Sequence, residues 1–154
     1  TNEDYDAHHA DDDTVVTAQA LKAAIHGADL VGWALIIRTL PNPESKRHAH
    51  FRGHQPTYFT REAMALIYQA GVKHLLVDFP SVDREDDGGL LPNHHLFWDV
   101  PAGTHAFLNV PSSNTITEMI YVPEKILDGV GVVTIQIPDF AMDAAPSRPR
   151  YFRS

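Results

Sequence analysis

The sequence has no cysteine among its 154 residues, which excludes disulfide bonds, thiolate nucleophiles and zinc sites built on sulfur. It also has no apolar run near the ~18 residues that a membrane-spanning helix needs. Basic residues are few, since 12 Lys and Arg stand against 20 Asp and Glu, for a net charge of −8. We therefore expect a cytoplasmic protein that binds neither nucleic acid nor membranes.

The composition is that of an ordinary folded domain, with 44% hydrophobic and 21% charged residues. We find no repeat and no linker, so residues 1–154 are predicted to form one domain. The first 13 residues differ in composition from the rest of the chain, because the segment from Thr1 to Asp13 is acidic and nearly devoid of large apolar residues. This segment is predicted to be an acidic, mobile arm, with a cation-binding loop as the alternative.

Hydrophobic periodicity predicts alternating helices and strands, and hence an α/β fold. Predicted helices cover Thr17–Ile25 and Thr60–Ala70, with a shorter one inside Leu90–Val100. Predicted strands cover Asp29–Thr39, Val72–Phe79, Thr115–Val122 and Val130–Ile137. The strand at Asp29–Thr39 is so continuously apolar that we expect both of its faces to be buried. Leu40–Tyr58 is predicted to be a loop, and Ala141–Ser154 a tail rich in Pro and Arg.

Ten histidines are the unusual feature of the composition, because any transition metal here would need imidazole and carboxylate ligands. His48, His50 and His54 lie close together, but the neighbouring Lys and Arg residues favour an exposed basic loop over a metal site. Asp78 ends a predicted buried strand, and Asp83 lies in the acidic loop that follows it. We interpret them as carboxylates that hold the next loop through backbone hydrogen bonds, with a ligand site as the alternative.

His94 and Glu118 are the strongest candidates for chemistry. Glu118 interrupts a strand of apolar and β-branched residues, where a carboxylate is costly unless it is paired or bound to a metal. Imidazole nitrogen and carboxylate oxygen can both ligate zinc or manganese. Two interpretations therefore stay open for this pair: metal ligands, or a structural His–Glu hydrogen bond.

The sequence has four motifs, at residues 71–83, 94–95, 117–118 and 143–149, which together resemble those of the cyclase family, a family that includes kynurenine formamidases and isatin hydrolase. Gly71 to Asp83, read as GVKHLLVDFPSVD, resembles the family's strand and loop ending in D-x-PS-x-D. His94-His95 and Thr117-Glu118 resemble the His and the Glu that follow, and residues 143–149 resemble its closing Ser-Pro-type turn. The resemblance runs from about Asp29 to the end of the chain.

The resemblance implies a swivelling β/β/α fold, a homodimer, and one or two divalent ions such as zinc or manganese. It implies a hydrolase in which metal-activated water attacks the carbonyl of a small-molecule amide and breaks its C–N bond. His94 and Glu118 would be the catalytic and metal-binding residues of this chain. His95 is the alternative to His94 as metal ligand, because two adjacent histidines leave the register open.

The family's main metal motif, His-x-Gly-Thr-His-x-Asp, does not occur in the sequence. Gly103-Thr104-His105 copies three letters of it but has Phe107 at the Asp position. We therefore expect either an enzyme domain without its amino-terminal part or a non-catalytic relative that acts in binding or assembly. A third hypothesis is a metal site rebuilt from His8, His9 or the loop with His48, His50 and His54.

Overall fold

The computed structural model describes residues 12–51, 53–101, 112–142 and 144–153 of a mixed α/β protein. In chain order the strands are β1 (Val15–Val16), β2 (Ala34–Ile37), β3 (Tyr58–Phe59), β4 (His74–Val77), β5 (Thr115–Thr117), β6 (Gly131–Gln136) and β7 (Arg148–Arg153). The helices are α1 (Ala18–Ile25), α2 (Arg61–Gln69) and α3 (Pro92–Phe97). Among these residues, no helix has both the length and the apolarity needed to cross a membrane.

The described strands form three sheets. The central one is parallel, with the order β2-β4-β5, so that β4 lies in the middle and is buried from Leu75 to Val77. β1 and β3 form a short parallel pair, and β6 and β7 form an antiparallel hairpin. The parallel order places the carboxyl ends of β2, β4 and β5 at one edge of the central sheet, where the candidate site is found.

The hydrophobic core lies between the central sheet and the helices. The apolar face of α2 contributes Ala63, Met64 and Ile67, all at most 2% exposed. The other members of the buried core cluster are Leu21, Phe59, Val72, Leu75, Val77, Phe79, Val82 and Phe97. No residue of β6 or β7 belongs to this cluster. The core therefore supports the site from β4, α2 and α3, and the hairpin stands apart from it.

The two longer helices form within their predicted ranges, Thr17–Ile25 and Thr60–Ala70. Thr17 and Thr60 have extended backbones and cap α1 and α2 through their hydroxyl oxygens, which accept from the N–H groups of Ala20 and Ala63. Gly71 ends the α2 region with a positive φ of 75°, a conformation that glycine adopts without a steric penalty. Capping at Thr17 and Thr60 thus fixes the starts of the two helices that hydrophobic periodicity predicts.

The prediction of a long, fully buried strand at Asp29–Thr39 was wrong. Only Ala34–Ile37 forms a strand, and all four of its residues are half-buried because β2 lies at the edge of its sheet. The preceding residues form a turn, in which the Val31 N–H donates to the Asp29 side chain and Trp33 N–H to Leu30 O. Val31 and Trp33 are consequently 69% and 50% exposed.

Two segments predicted to be irregular contain strands. The last residue of the predicted loop, Tyr58, begins β3, and the predicted tail contains β7. Pro149 lies within β7, which pairs only with β6 among the described strands, and a strand with a free edge tolerates proline. Of the predicted arm, residues 1–11 lie outside the described part, while the Asp13 carboxylate accepts from Tyr58 Oη and Arg84 Nε.

A buried ion pair fastens the 3₁₀ helix Glu44–His48 to the sheet. Lys46 Nζ lies 2.6 Å from the Asp78 carboxylate, whose side chain is fully buried, and also donates to Thr39. The same carboxylate accepts from Thr39 N–H and Thr39 Oγ1. The prediction that Asp78 holds the loop following it was therefore wrong, because its carboxylate bonds to Thr39 and Lys46, which precede it in the chain.

Replacing Lys46 by Met is expected to lower the free energy of unfolding by about 3 kcal/mol, because the Asp78 charge would stay buried without its partner. Urea unfolding at pH 7 measures this change. Arg47→Met is the matched control, since Arg47 pairs with Glu44 at 3.5 Å on an exposed surface and should cost less than about 1 kcal/mol. Equal losses for the two variants would contradict the assignment.

Candidate functional site

The candidate site lies beyond the carboxyl ends of β4 and β5. Glu118 directly follows β5, and the loop that contains Asp83 leaves the end of β4. Backbone hydrogen bonds join the two segments, because Met119 N–H donates to Phe79 O and Ile120 N–H donates to Val77 O. These bonds bring the Glu118 side chain up to the loop.

The Asp83 carboxylate organises the start of α3. Asp83 is 1% exposed, and its Oδ1 accepts from Asn93 N–H at 2.7 Å. Its Oδ2 accepts from His94 N–H at 3.2 Å and lies 2.7 Å from His94 Nδ1. Leu91, at the capping position, provides no side-chain cap. Asp83 therefore satisfies the free N–H groups of the helix from another segment and orients the His94 ring at the same time.

Glu118 is held in turn by the backbone next to Asp83. Its Oε1 accepts from Val82 N–H at 3.0 Å and lies 3.4 Å from His94 Nε2. The side chains of His94 and Glu118 are 13% and 28% exposed, so both are largely buried but still reach solvent. The Trp98 ring packs against the imidazole, with 5.1 Å between the ring centroids. The imidazole thus lies between two carboxylates and an indole.

This arrangement changes the pKa of His94. Burial lowers the pKa of the imidazole, but hydrogen bonds and charge interactions with Asp83 and Glu118 outweigh it and raise the pKa to about 9. Without a metal, His94 is therefore protonated at neutral pH, with Nδ1 bonded to Asp83 and Nε2 in an ion pair with Glu118. A metal ion at Nε2 would have to displace this proton, so its affinity would rise with pH.

The donor pair fits a divalent ion in two respects. Two ligand atoms at about 2.1 Å from one ion, at a tetrahedral angle, lie roughly 3.4 Å apart, which is the separation of His94 Nε2 and Glu118 Oε1. Metal-bound histidines also donate their other ring N–H to a carboxylate, as Nδ1 does here with Asp83. Within the described ranges, however, no group of three or more His, Cys, Asp or Glu side chains could hold a metal.

The other predicted ligands lie elsewhere. His95 is 3% exposed on the buried side of α3, whereas His94 is the histidine that faces Glu118. His48, His50 and His54 are exposed, and the described residues do not unite them into a metal-binding group. His8, His9 and the segment with Gly103, Thr104 and His105 lie outside the described residues.

The sequence predictions missed two parts of the site. Val82 contributes a backbone N–H, which any residue except proline would supply. Asn93 contributes its side-chain amide to the carbonyls of Phe59 and Val82. The Asn at 93 could have been noticed as a polar residue beside two histidines, but its buried position depends on tertiary contacts.

The family of the chain follows from comparison with known proteins. The family model described as "Putative cyclase" matches residues 4–84, which is more than half of the 154 residues. The chain belongs to the cyclase family. The match begins further upstream than the resemblance at Asp29 predicts, and it ends directly after Asp83, before His94 and Glu118. No curated protein matches the chain.

The pKa of His94 predicts a pH-dependent stability. A pKa raised to about 9, against about 6.5 in the unfolded chain, gives stability that is fully present below about pH 6.5 and is lost as pH rises through 9. We expect the free energy of unfolding of the metal-free protein to fall by ~3 kcal/mol between pH 6 and pH 10 through this group. Urea unfolding across this range measures the loss.

His94→Asn is the comparison variant, because asparagine does not titrate. The variant should lack the part of the pH dependence that the wild type shows between pH 6.5 and 9. A parallel pH dependence in both proteins would contradict the assignment of this titration to His94.

Proposed function

We propose that the chain is part of a metal-dependent hydrolase that breaks the C–N bond of an amide, within the swivelling β/β/α fold of its family. The observation that carries the proposal is the pairing of His94 Nε2 with Glu118 Oε1 at 3.4 Å. Membership of the cyclase family supports it from the sequence side. The substrate would be a small linear or cyclic amide, in a cytoplasmic setting.

His94 and Glu118 would hold the divalent ion, zinc or manganese, through one nitrogen and one oxygen. When bound, the ion would supply the activation of water and the polarisation of the amide carbonyl. Further ligands would come from outside the described residues or from a second copy of the chain, since the described residues do not add a third. This requirement makes the metal stoichiometry the natural first test.

The residues around the pair have defined tasks in this proposal. Asp83 orients the His94 ring and keeps Nδ1 occupied, so that Nε2 is the nitrogen directed at the ion. Val82 N–H holds Oε1 of Glu118 in place and lowers the cost of a carboxylate near the core. His94 must give up its Nε2 proton before it can act as a ligand.

A second candidate function is binding or assembly without catalysis. It is favoured by the lack of a third ligand among the described residues. In that case His94, Asp83 and Glu118 would form a structural ion-pair network, in which protonated His94 joins two carboxylates. The two functions differ in one observable, because only the first requires a bound divalent ion.

We also propose that the chain forms a homodimer through the β6–β7 hairpin. The hairpin adds no residue to the core cluster, and a two-stranded hairpin alone is marginally stable in water. Its outer face carries the cross-strand pair Val132 and Phe152, which are 60% and 54% exposed.

The metal proposal predicts about one zinc or manganese ion per chain after dialysis, measured by elemental analysis at pH 8. His94→Ala and Glu118→Gln should each lower the affinity at least about tenfold, as loss of a ligand does. The wild type should hydrolyse an N-formyl arylamine, and both substitutions should abolish that activity.

The control is the triple variant His48→Ala, His50→Ala, His54→Ala, which removes exposed imidazoles and leaves the candidate site intact. Its metal content and activity should match those of the wild type. Loss of metal only in the triple variant would favour the rebuilt site in that loop. A metal-free wild type would favour the non-catalytic alternative.

The dimer proposal predicts that Phe152→Glu shifts the chain from dimer to monomer in sedimentation velocity, because it places a charge in the proposed apolar contact. Leu40→Glu is the matched control, since Leu40 is 81% exposed and lies outside the hairpin. It should leave the sedimentation coefficient unchanged. A wild type that sediments as a monomer at micromolar concentration would contradict the proposal.

A further inference from the structure

Asn93 is a buried amide at the centre of the candidate site. It is 1% exposed, although asparagine is mostly an exposed residue. Its Nδ2 donates two hydrogen bonds of 2.9 Å, one to Phe59 O and one to Val82 O. Its side chain therefore joins the end of β3 to the loop after β4, while its backbone lies in α3.

Val82, which accepts one of these bonds, has both its carbonyl oxygen and its N–H group hydrogen-bonded. Val82 O also accepts from Phe59 N–H at 3.2 Å. Val82 N–H donates to Oε1 of Glu118 at 3.0 Å. The Asn93 amide thus helps Phe59 to fix the peptide plane after Val82, and the adjoining plane carries the N–H that holds the Glu118 carboxylate.

Asp83, the residue after Val82, positions His94, the other member of the candidate pair. Asp83 follows Val82 directly and bonds to the His94 ring. Asn93 meets Asp83 as well, through its backbone N–H at 2.7 Å from Oδ1. Asn93 therefore contacts the two consecutive residues that place Glu118 and His94.

The chemistry of the contacts explains why an amide is needed at 93. Two carbonyl oxygens require two N–H donors on one planar group, and asparagine provides them. Aspartate of the same shape has no donor, and leucine would leave both carbonyls without this bond. Asn93 Oδ1 is buried without a hydrogen-bond partner among the described residues. The donor side is thus the part of the amide that the position uses.

We infer that Asn93 is a positioning residue of the candidate site: its amide clamps the Val82 carbonyl and thereby sets the relative placement of Glu118 and His94. As a statement about that site's role, the inference rests on the proposed function. The placement itself exists without a metal and can be measured without one.

The test compares Asn93→Ala with Asn42→Ala in the metal-free 154-residue chain, by amide hydrogen exchange followed with NMR. Asn42 is the matched control, because it is 2% exposed, donates one bond to Val122 O and also has a buried Oδ1 without partner. The reporters are the amides of Val82 and His94. The Met64 amide, bonded to Thr60 O within α2, reports on the core.

Asn93→Ala should speed exchange of the Val82 and His94 amides at least about tenfold and leave Met64 within about twofold of wild type. Asn42→Ala should leave the Val82 and His94 amides within about twofold of wild type. Unchanged Val82 and His94 amides in Asn93→Ala would overturn the inference. Equal acceleration of all three amides would also overturn it, since Asn93 would then support only the whole fold.

If Asn93→Ala does not fold, Asn93→Ser is measured in its place, because a hydroxyl can still donate to one of the two carbonyls. Failure of both variants to fold, while Asn42→Ala folds, overturns the inference in favour of a general structural role. Zinc titration of the wild type is a separate readout. A wild type that binds no zinc would sink the proposed function and leave the exchange result on Asn93 valid.

Discussion

The candidate site depends on the three hydrogen bonds that converge on the buried carboxylate of Asp83. Two of them come from backbone N–H groups at the start of α3, and the third comes from the His94 ring. A carboxylate this deeply buried is stable only because these donors replace its water. The same carboxylate that fixes where the helix begins therefore fixes where the imidazole points, and the site cannot be separated from the local fold.

The parts of the fold that the sequence predicts are those decided by local chemistry. Thr60 and Gly71 mark the limits of α2, and the short apolar run before Asp78 gives β4, since capping and strand patterns act over a few residues. The strand predicted from Asp29 is the opposite case. Its apolar run is divided by a turn at Gly32, and among the described strands it pairs with β4 alone, so composition overstated both its length and its burial. The pairing of β1 with β3 joins residues more than 40 positions apart, and no local pattern indicates it.

The candidate site was predictable to a similar extent. Glu118 could be singled out because a carboxylate beside a β-branched strand needs a partner, and His94 because it lies in a pair of histidines. The sequence could not decide between His94 and His95, since that choice depends on which face of α3 meets the loop with Asp83. The roles of Val82 N–H and Asn93 arise only from tertiary contacts. Asp83 was expected to bond to the backbone, and it does so, but its bond to the imidazole is what connects it to function.

The most direct measurement of the central claim is anomalous diffraction from a crystal of the 154-residue chain grown with zinc at pH 8. The account predicts an anomalous peak at about 2.0–2.2 Å from both His94 Nε2 and Glu118 Oε1, with Asp83 still bonded to Nδ1. A zinc peak bound elsewhere, such as at His48, His50 or His54, with His94 and Glu118 still in direct contact, would contradict it. The pair would then be a structural ion pair, and the hydrolase proposal would lose the observation that carries it.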